Sequence, residues 1–258
     1  MSNEREANER VSSENTAPQA TTVLAPAKLT RTLRVSGVRN DGMHLIDAEM
    51  VTLDLYDELT LSRRSGTVRF VDERNGGVPI DIDPVDNLVT RAAKLAGVEV
   101  DALVKKRIPA QAGLGGGSAD AAAVLRWAGF TNVERAVSIG ADVAFSLVGG
   151  RAHVRGIGEI IEPLPFVDIA FTVVTPQVAC STPAVYAKWD ELGGPVGEHG
   201  NDLEPAALAI APELNEAREA LGNATGQVPR LAGSGSSWFV EGAFPAAGTV
   251  LRTVPVSG

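Results

Sequence analysis

An α+β fold is what this sequence predicts. Strand-type alternation recurs along the chain, and helix-type patterns interrupt it. The two are mixed without the regular βαβ spacing of a doubly wound sheet. Of 258 residues, 44% are hydrophobic and 21% charged, which supplies one large or two modest cores.

Residues 1–22 are polar and nearly free of large apolar side chains, so a disordered tail is expected there, with structure beginning near Val23. Across 27–35, Leu29, Leu33 and Val35 alternate with Thr30, Thr32 and Arg34, which suits a half-buried strand with Arg31 out of phase. Asn40-Asp41-Gly42 is a turn signal, and 44–61 supplies one or two strands. A short strand at 68–71 is followed by a hairpin-like turn at Asn75-Gly76-Gly77. Residues 86–97 read as a helix: Leu88, Ala92 and Leu95 share a face, Asp86 or Asn87 caps its start and Gly97 ends it. A strand at 104–108 leads into PAQAGLGGGS (109–118) and then an alanine-rich helix over 118–127. A buried strand is expected at 166–174, a helix at 212–221, and a strand-to-loop pattern around GSGSS at 231–240.

Charge narrows the function. The net charge of -9 disfavours nucleic acid and anionic membrane as partners. The basic block Lys105-Lys106-Arg107 is expected to be solvated surface. The single cysteine, Cys180, cannot form an internal disulfide and reads as a packed small residue in a reducing compartment. No apolar run approaches the roughly 20 residues of a membrane span, and the N-terminus lacks signal-peptide order. A soluble, cytoplasmic protein is expected.

Three segments carry chemistry. Gly113, Gly115, Gly116 and Gly117 leave the backbone free for positive φ and close ligand approach, and a helix opens at Ser118, Ala119 and Asp120. Free N–H groups at a helix start favour an anion such as phosphate, although a plain flexible turn has the same glycines. The loop is neither a Walker A motif nor a dinucleotide fingerprint. Lys28, in Ala25-Pro26-Ala27-Lys28, either reaches solvent from an edge strand or meets an anion. Asp142, in Gly140-Ala141-Asp142-Val143, is either a helix N-cap or a positioned general base. Three scattered histidines and one cysteine give no metal-site spacing.

Taken together, these segments resemble the GHMP kinase superfamily. The similarity runs from about residue 25 to 240. It takes in Pro26-Ala27-Lys28, then Gly37, Arg39, Asp41, Gly42 and His44, then 54–59 (DLYDEL) and the loop 109–122. It continues with 140–150 (GADVAFSLVGG), 155–159, Ser181-Thr182-Pro183 with Tyr186, Asn201-Asp202-Leu203-Glu204, and 233–237. The nearest resemblance is to members that phosphorylate a cytidine-diphosphate-linked polyol.

The resemblance implies a two-lobed fold. Residues 23–160 would form a ribosomal-protein-S5-domain-2-like N-terminal lobe that binds ATP. Residues 161–258 would form a ferredoxin-like C-terminal substrate lobe. It also implies Asp142 as the base, with Lys28 beside it. The ATP phosphates would lie on Pro109, Ala110, Gln111, Ala112, Gly113, Leu114, Gly115, Gly116, Gly117, Ser118 and Ala119. His44 would bond the cytosine and Tyr186 would stack on it. Mg²⁺ is implied by ATP, with Ser118 and Asp120 as candidate ligands by position. Three departures stand out: Thr30 where the family has asparagine, Met43 where it has tyrosine, and only 13 residues, 127–139, where it carries a longer helical pair. A different acceptor alcohol, or a catalytically weak nucleotide-binding relative, are the alternatives these leave; retained Lys28 and Asp142 argue against the second.

Overall fold

The computed structural model describes residues 19–256. Most of the expected tail, 1–18, lies outside the described residues. Its last two residues, Thr21 and Thr22, belong to the first strand instead.

Two long strands, β1 (Thr21–Val38) and β2 (His44–Ser62), form an antiparallel hairpin closed at Asp41 and Gly42. Gly42 holds φ +83°, which suits glycine. β2 is one strand, not two. The register of β1 shifts between Pro26 and Lys28 and again between Thr30 and Thr32. These bulges bury four consecutive residues, Ala27 to Thr30, and put Arg31 out of phase. Lys28 therefore faces inward.

The chain continues through β3 (Val68–Asp72), a one-turn 3-10 segment and β4 (Val78–Ile80) to α1 (Leu88–Ala96), β5 (Asp101–Lys106) and α2 (Gly116–Trp127). The short α3 (Val133–Ala136), α4 (Ala141–Val148), β6 (Arg151–Gly156) and β7 (Ile160–Pro163) complete this half. Its sheet runs β4-β3-β5-β2-β6-β7, with β1 on the other edge of β2. β3 and β5 are its parallel pair, joined through α1, and the other pairings are antiparallel. Asn87 caps α1 by accepting from Thr90 N–H, and Gly97 closes it at φ +68°. The alanines of α2 are buried, so α1 and α4 pack close to it. The segment 127–139 holds only α3 and a 3-10 turn.

A second sheet follows, ordered β11-β8-β10-β9 and built from β8 (Ala170–Val174), β9 (Arg230–Leu231), β10 (Trp238–Glu241) and β11 (Thr249–Arg252). The expected strand at 166–174 is shortened: Phe166 and Val167 are exposed and only the last five residues pair. The helices are α5 (Thr182–Glu191), α6 (Glu204–Ile210) and α7 (Leu214–Thr225). This is a two-lobed α+β architecture.

Asp202 joins the lobes, and Asn201 braces it from within the second. Asp202 accepts from the Arg34 guanidinium and from Val35 N–H on β1. Asn201 donates to the carbonyls of Leu231 and Gly233. Both are almost fully buried: the Asp202 bonds hold the second lobe against β1, and the Asn201 bonds tie it to the 231–237 loop of its own lobe.

Candidate active site

A cavity of about 860 Å³ opens between the lobes. Lys28, the glycine loop and Asp142 line it from the first lobe; Tyr186, Asp190 and Gly233 line it from the second.

The glycine loop is pinned on three sides. Lys28 N–H donates to Leu114 O at 3.0 Å, and Ser237 N–H to Ala112 O at 3.1 Å. A Cβ on Gly113 would stand 2.0 Å from Ala232 O, so only glycine allows this approach. Gly115 holds φ +70°, and a Cβ there would meet Lys28 Cγ at 2.8 Å. α2 begins at Gly116, two residues before the expected Ser118. Its first N–H groups belong to Gly116, Gly117 and Ser118 and have no side-chain cap. Free amides, a helix N-terminus and glycines too close-packed for any side chain are what a row of phosphate oxygens needs. The loop offers the donors that a chain of phosphates would use.

Lys28 Nζ lies 3.1 Å from Asp142 Oδ2 and donates to Thr30 Oγ1 at 3.0 Å. The residues are 114 apart in sequence and meet at the loop's edge. Asp142 does not cap α4: Gly140 holds the cap position and makes no side-chain bond, and Asp142 sits in the first turn. Its side chain keeps 32% exposure and faces the cavity, whereas Lys28 keeps 6%. Ser118 Oγ is 3.8 Å from where a Cβ on Gly140 would stand, so that hydroxyl lies beside the start of α4.

A second lysine corrects the reading of the basic block. Lys105 and Arg107 pair with Glu58 at the surface, as expected. Lys106, between them, points the other way and is buried. Its ammonium contacts both Asp57 and Asp120 and lies under Gly116. Strand alternation was the available signal: odd and even residues face opposite sides. Burial alone would lower the Lys106 pKa, but the two carboxylates outweigh it and the net shift is upward. Asp57 also accepts backbone N–H groups of Arg107 and Ile108. Asp120 is satisfied only by Lys106, and its Oδ1 has no partner. Burial, opposed by Lys106 and reinforced by Asp57, pushes its pKa up to about 8. Asp120 is thus tied to Lys106, and of the two candidate metal ligands only Ser118 is without such an ion pair.

At the far end of the cavity, His44 starts β2. Its ring is tilted 36° against Tyr186 at 4.6 Å and meets Trp189 edge-on at 5.6 Å. Burial, and secondarily the charge of Asp142, push the Tyr186 hydroxyl well above the usual range. Met43 is 45% exposed at the same end. Cys180 is buried, and His153 and His199 pair with Asp47 and Arg218, so all three are packing or surface residues.

Fold and site define a small-molecule phosphotransferase of the GHMP class. The model of the GHMP kinases N terminal domain matches residues 87–150. The chain is 38% identical over 234 residues to 4-diphosphocytidyl-2-C-methyl-D-erythritol kinase of Paracoccus denitrificans, covering 83% of this chain and 84% of that one. It is 36% identical over 259 residues to the enzyme of that name from Ruegeria pomeroyi, covering 89% and 91%. A crystal structure of 4-(cytidine 5'-diphospho)-2C-methyl-D-erythritol kinase superposes with TM-score 0.71 at 29% identity, over 92% of this chain and all of that one. Mevalonate pyrophosphate decarboxylase from Streptococcus pyogenes, at 13% identity and TM-score 0.61, shares the fold. The chain belongs to the 4-diphosphocytidyl-2-C-methyl-D-erythritol kinase family of the GHMP kinases.

Proposed function

We propose that this protein transfers the γ-phosphoryl group of ATP to the 2-hydroxyl of 4-diphosphocytidyl-2-C-methyl-D-erythritol, in the non-mevalonate route to isoprenoid precursors. The observation that carries the reading is the Lys28–Asp142 pair, 3.1 Å apart beside the glycine loop in one cavity.

Phosphoryl transfer demands positioning and charge neutralisation more than covalent help. Asp142 accepts the proton of the attacking hydroxyl. Lys28 keeps that carboxylate oriented and offsets negative charge growing between acceptor and phosphorus. The amides of 109–119 hold the phosphates, with the α2 N-terminus pointing at them. Mg²⁺ supplies further charge neutralisation when bound with ATP. Among the described residues no group of three or more histidine, cysteine or acidic side chains is placed to hold a metal ion. Ser118, which lines the cavity at the start of α2, would be the protein hydroxyl offered to it. His44 and Tyr186 hold the cytosine end of the substrate. A cytoplasmic setting accords with the single buried cysteine.

The test is label transfer from ATP to a panel of alcohols that includes the diphosphocytidyl compound. Preferred transfer to that compound supports the reading. Preferred transfer to homoserine, mevalonate or another alcohol in the panel overturns it.

A further inference from the structure

Helix α5 presents three side chains to one ring. Tyr186, Trp189 and Asp190 stand at i, i+3 and i+4, so they share a face, and that face closes on His44 from the other lobe. Tyr186 covers a face of the imidazole. Trp189 meets it edge-on and is itself fixed, since its Nε1 donates to Pro195 O at 2.9 Å and Gly194 packs on its ring. The third contact is polar: His44 Nε2 and Asp190 Oδ1 are 2.8 Å apart. The His44 side chain keeps only 12% exposure, yet the ring still lines the cavity.

A carboxylate accepts hydrogen bonds and donates none, so the Nε2 of His44 carries the proton that fills this contact. In the neutral ring the other nitrogen, Nδ1, is then left with a lone pair. Among the described residues it has no hydrogen-bond partner. A nitrogen of that kind seeks an N–H donor. Cytosine carries an exocyclic amino donor where uracil carries a carbonyl acceptor. A carbonyl facing the lone pair would be repelled, and both groups would be left unpaired.

We propose that Asp190 is a specificity-setting positioning residue: it locks the tautomer of His44 so that the site selects cytidine over uridine diphosphates. This rests on the reading above in taking His44 to face the base. Asp190 itself touches no reacting atom. Without it, either ring nitrogen can carry the proton, and the site loses its reason to reject a carbonyl.

Asp190 is half exposed, so Asp190→Asn keeps the fold. Asparagine can accept from Nε2–H or donate to bare Nε2, and so permits both tautomers. Cytidine and uridine diphosphate are titrated calorimetrically into the full chain, with a non-hydrolysable ATP analogue saturating the glycine loop. Wild type is expected to prefer the cytidine nucleotide on the order of tenfold, about the worth of one hydrogen bond to the base. Asp190→Asn should bring that preference within roughly twofold, as expected when both tautomers are allowed, and Asp190→Glu should restore most of it. An unchanged ratio in Asp190→Asn, or equal weakening of both nucleotides, would make the contact mere packing and overturn the proposal. So would a wild type that binds neither nucleotide.

A second measurement is independent of binding. The chain has three histidines, and nitrogen chemical shifts assign the tautomer of each. Protonation of neutral His44 on Nδ1 would overturn the proposal. If cytidine selectivity follows Asp190 but no phosphoryl group reaches the diphosphocytidyl substrate, the inference stands and the proposed function fails.

Discussion

Two lysines line the cavity beside the glycine loop, each paired with carboxylate, and they differ in how far those carboxylates are exposed. Lys28 meets a single aspartate whose side chain keeps a third of its surface open. Lys106 meets two, both sealed. An ammonium beside one accessible carboxylate leaves that carboxylate free to take a proton from a substrate. An ammonium shut between two carboxylates has no such freedom, and it ties β5, β2 and α2 together beneath the loop. Exposure of the acid, rather than the presence of a lysine–aspartate pair, separates chemistry from support.

The contrast is sharpest at Asp142. Asp142→Asn keeps size and most hydrogen bonding but removes the base, so kcat should fall about 10²–10⁴. ATP affinity by titration and the melting temperature should hardly change. A kcat within a few-fold of wild type, with lower stability, would make Asp142 a structural residue like Asp57.

Lys106 should behave in the opposite sense. Lys106→Met strands the buried Asp57 carboxylate, a loss on the order of 3–5 kcal/mol in denaturant unfolding. Adding Asp57→Asn should recover part of it, because the stranded charge is gone. A Lys106→Met protein of normal stability would show that the sealed cluster contributes no support.

At the substrate end, Tyr186→Ala should raise KM for the cytidine-linked substrate by roughly 5- to 150-fold, the worth of one base stacked on an aromatic ring. KM for ATP should stay near wild type, and Tyr186→Phe should be mild. Because Tyr186 already rests on His44, a lower melting temperature with unchanged KM would mean the ring only packs the lobes.

The smallest effect is a slope. Asp120 is pushed up to about 8, so the folded chain keeps a proton there that the unfolded chain releases above about 3.8. Between those values the folded state binds more protons, and stability from this group declines as pH rises. Asp120→Asn should flatten that decline in melts run across the window. Wild type and variant with parallel profiles would show that Asp120 ionises normally. Valine at Gly115 would collide with Lys28 and strain a left-handed residue, so loss of ATP binding there would not separate loop from fold.

Much of this was legible beforehand. Asp86 or Asn87 as cap and Gly97 as stop announced both ends of α1, with the structure choosing Asn87, and the loop 109–118 declared its helix start to within two residues. Lys28 and Asp142 were found by motif, yet neither the inward turn of Lys28 nor the empty cap role of Asp142 followed from spacing. The bulges in β1 that turn Lys28 inward leave little trace in an apolar–polar pattern. Phe166 and Val167 look like strand and lie exposed, because no partner strand extends that far.

The sequence by itself determined the local conformations: where glycine permits a tight loop, where asparagine caps a helix, where alternation makes a strand. Those depend on each residue's own backbone preferences and a few neighbours. Tertiary structure decided which charged groups meet. Lys106 reaches Asp57 across 49 residues, Lys28 reaches Asp142 across 114, and His44 reaches Asp190 across 146. Alternation tells which face a side chain takes, but its partner depends on which strand or helix the fold lays against that face. Burial at the meeting point then sets whether the charge does chemistry or holds the loop in place.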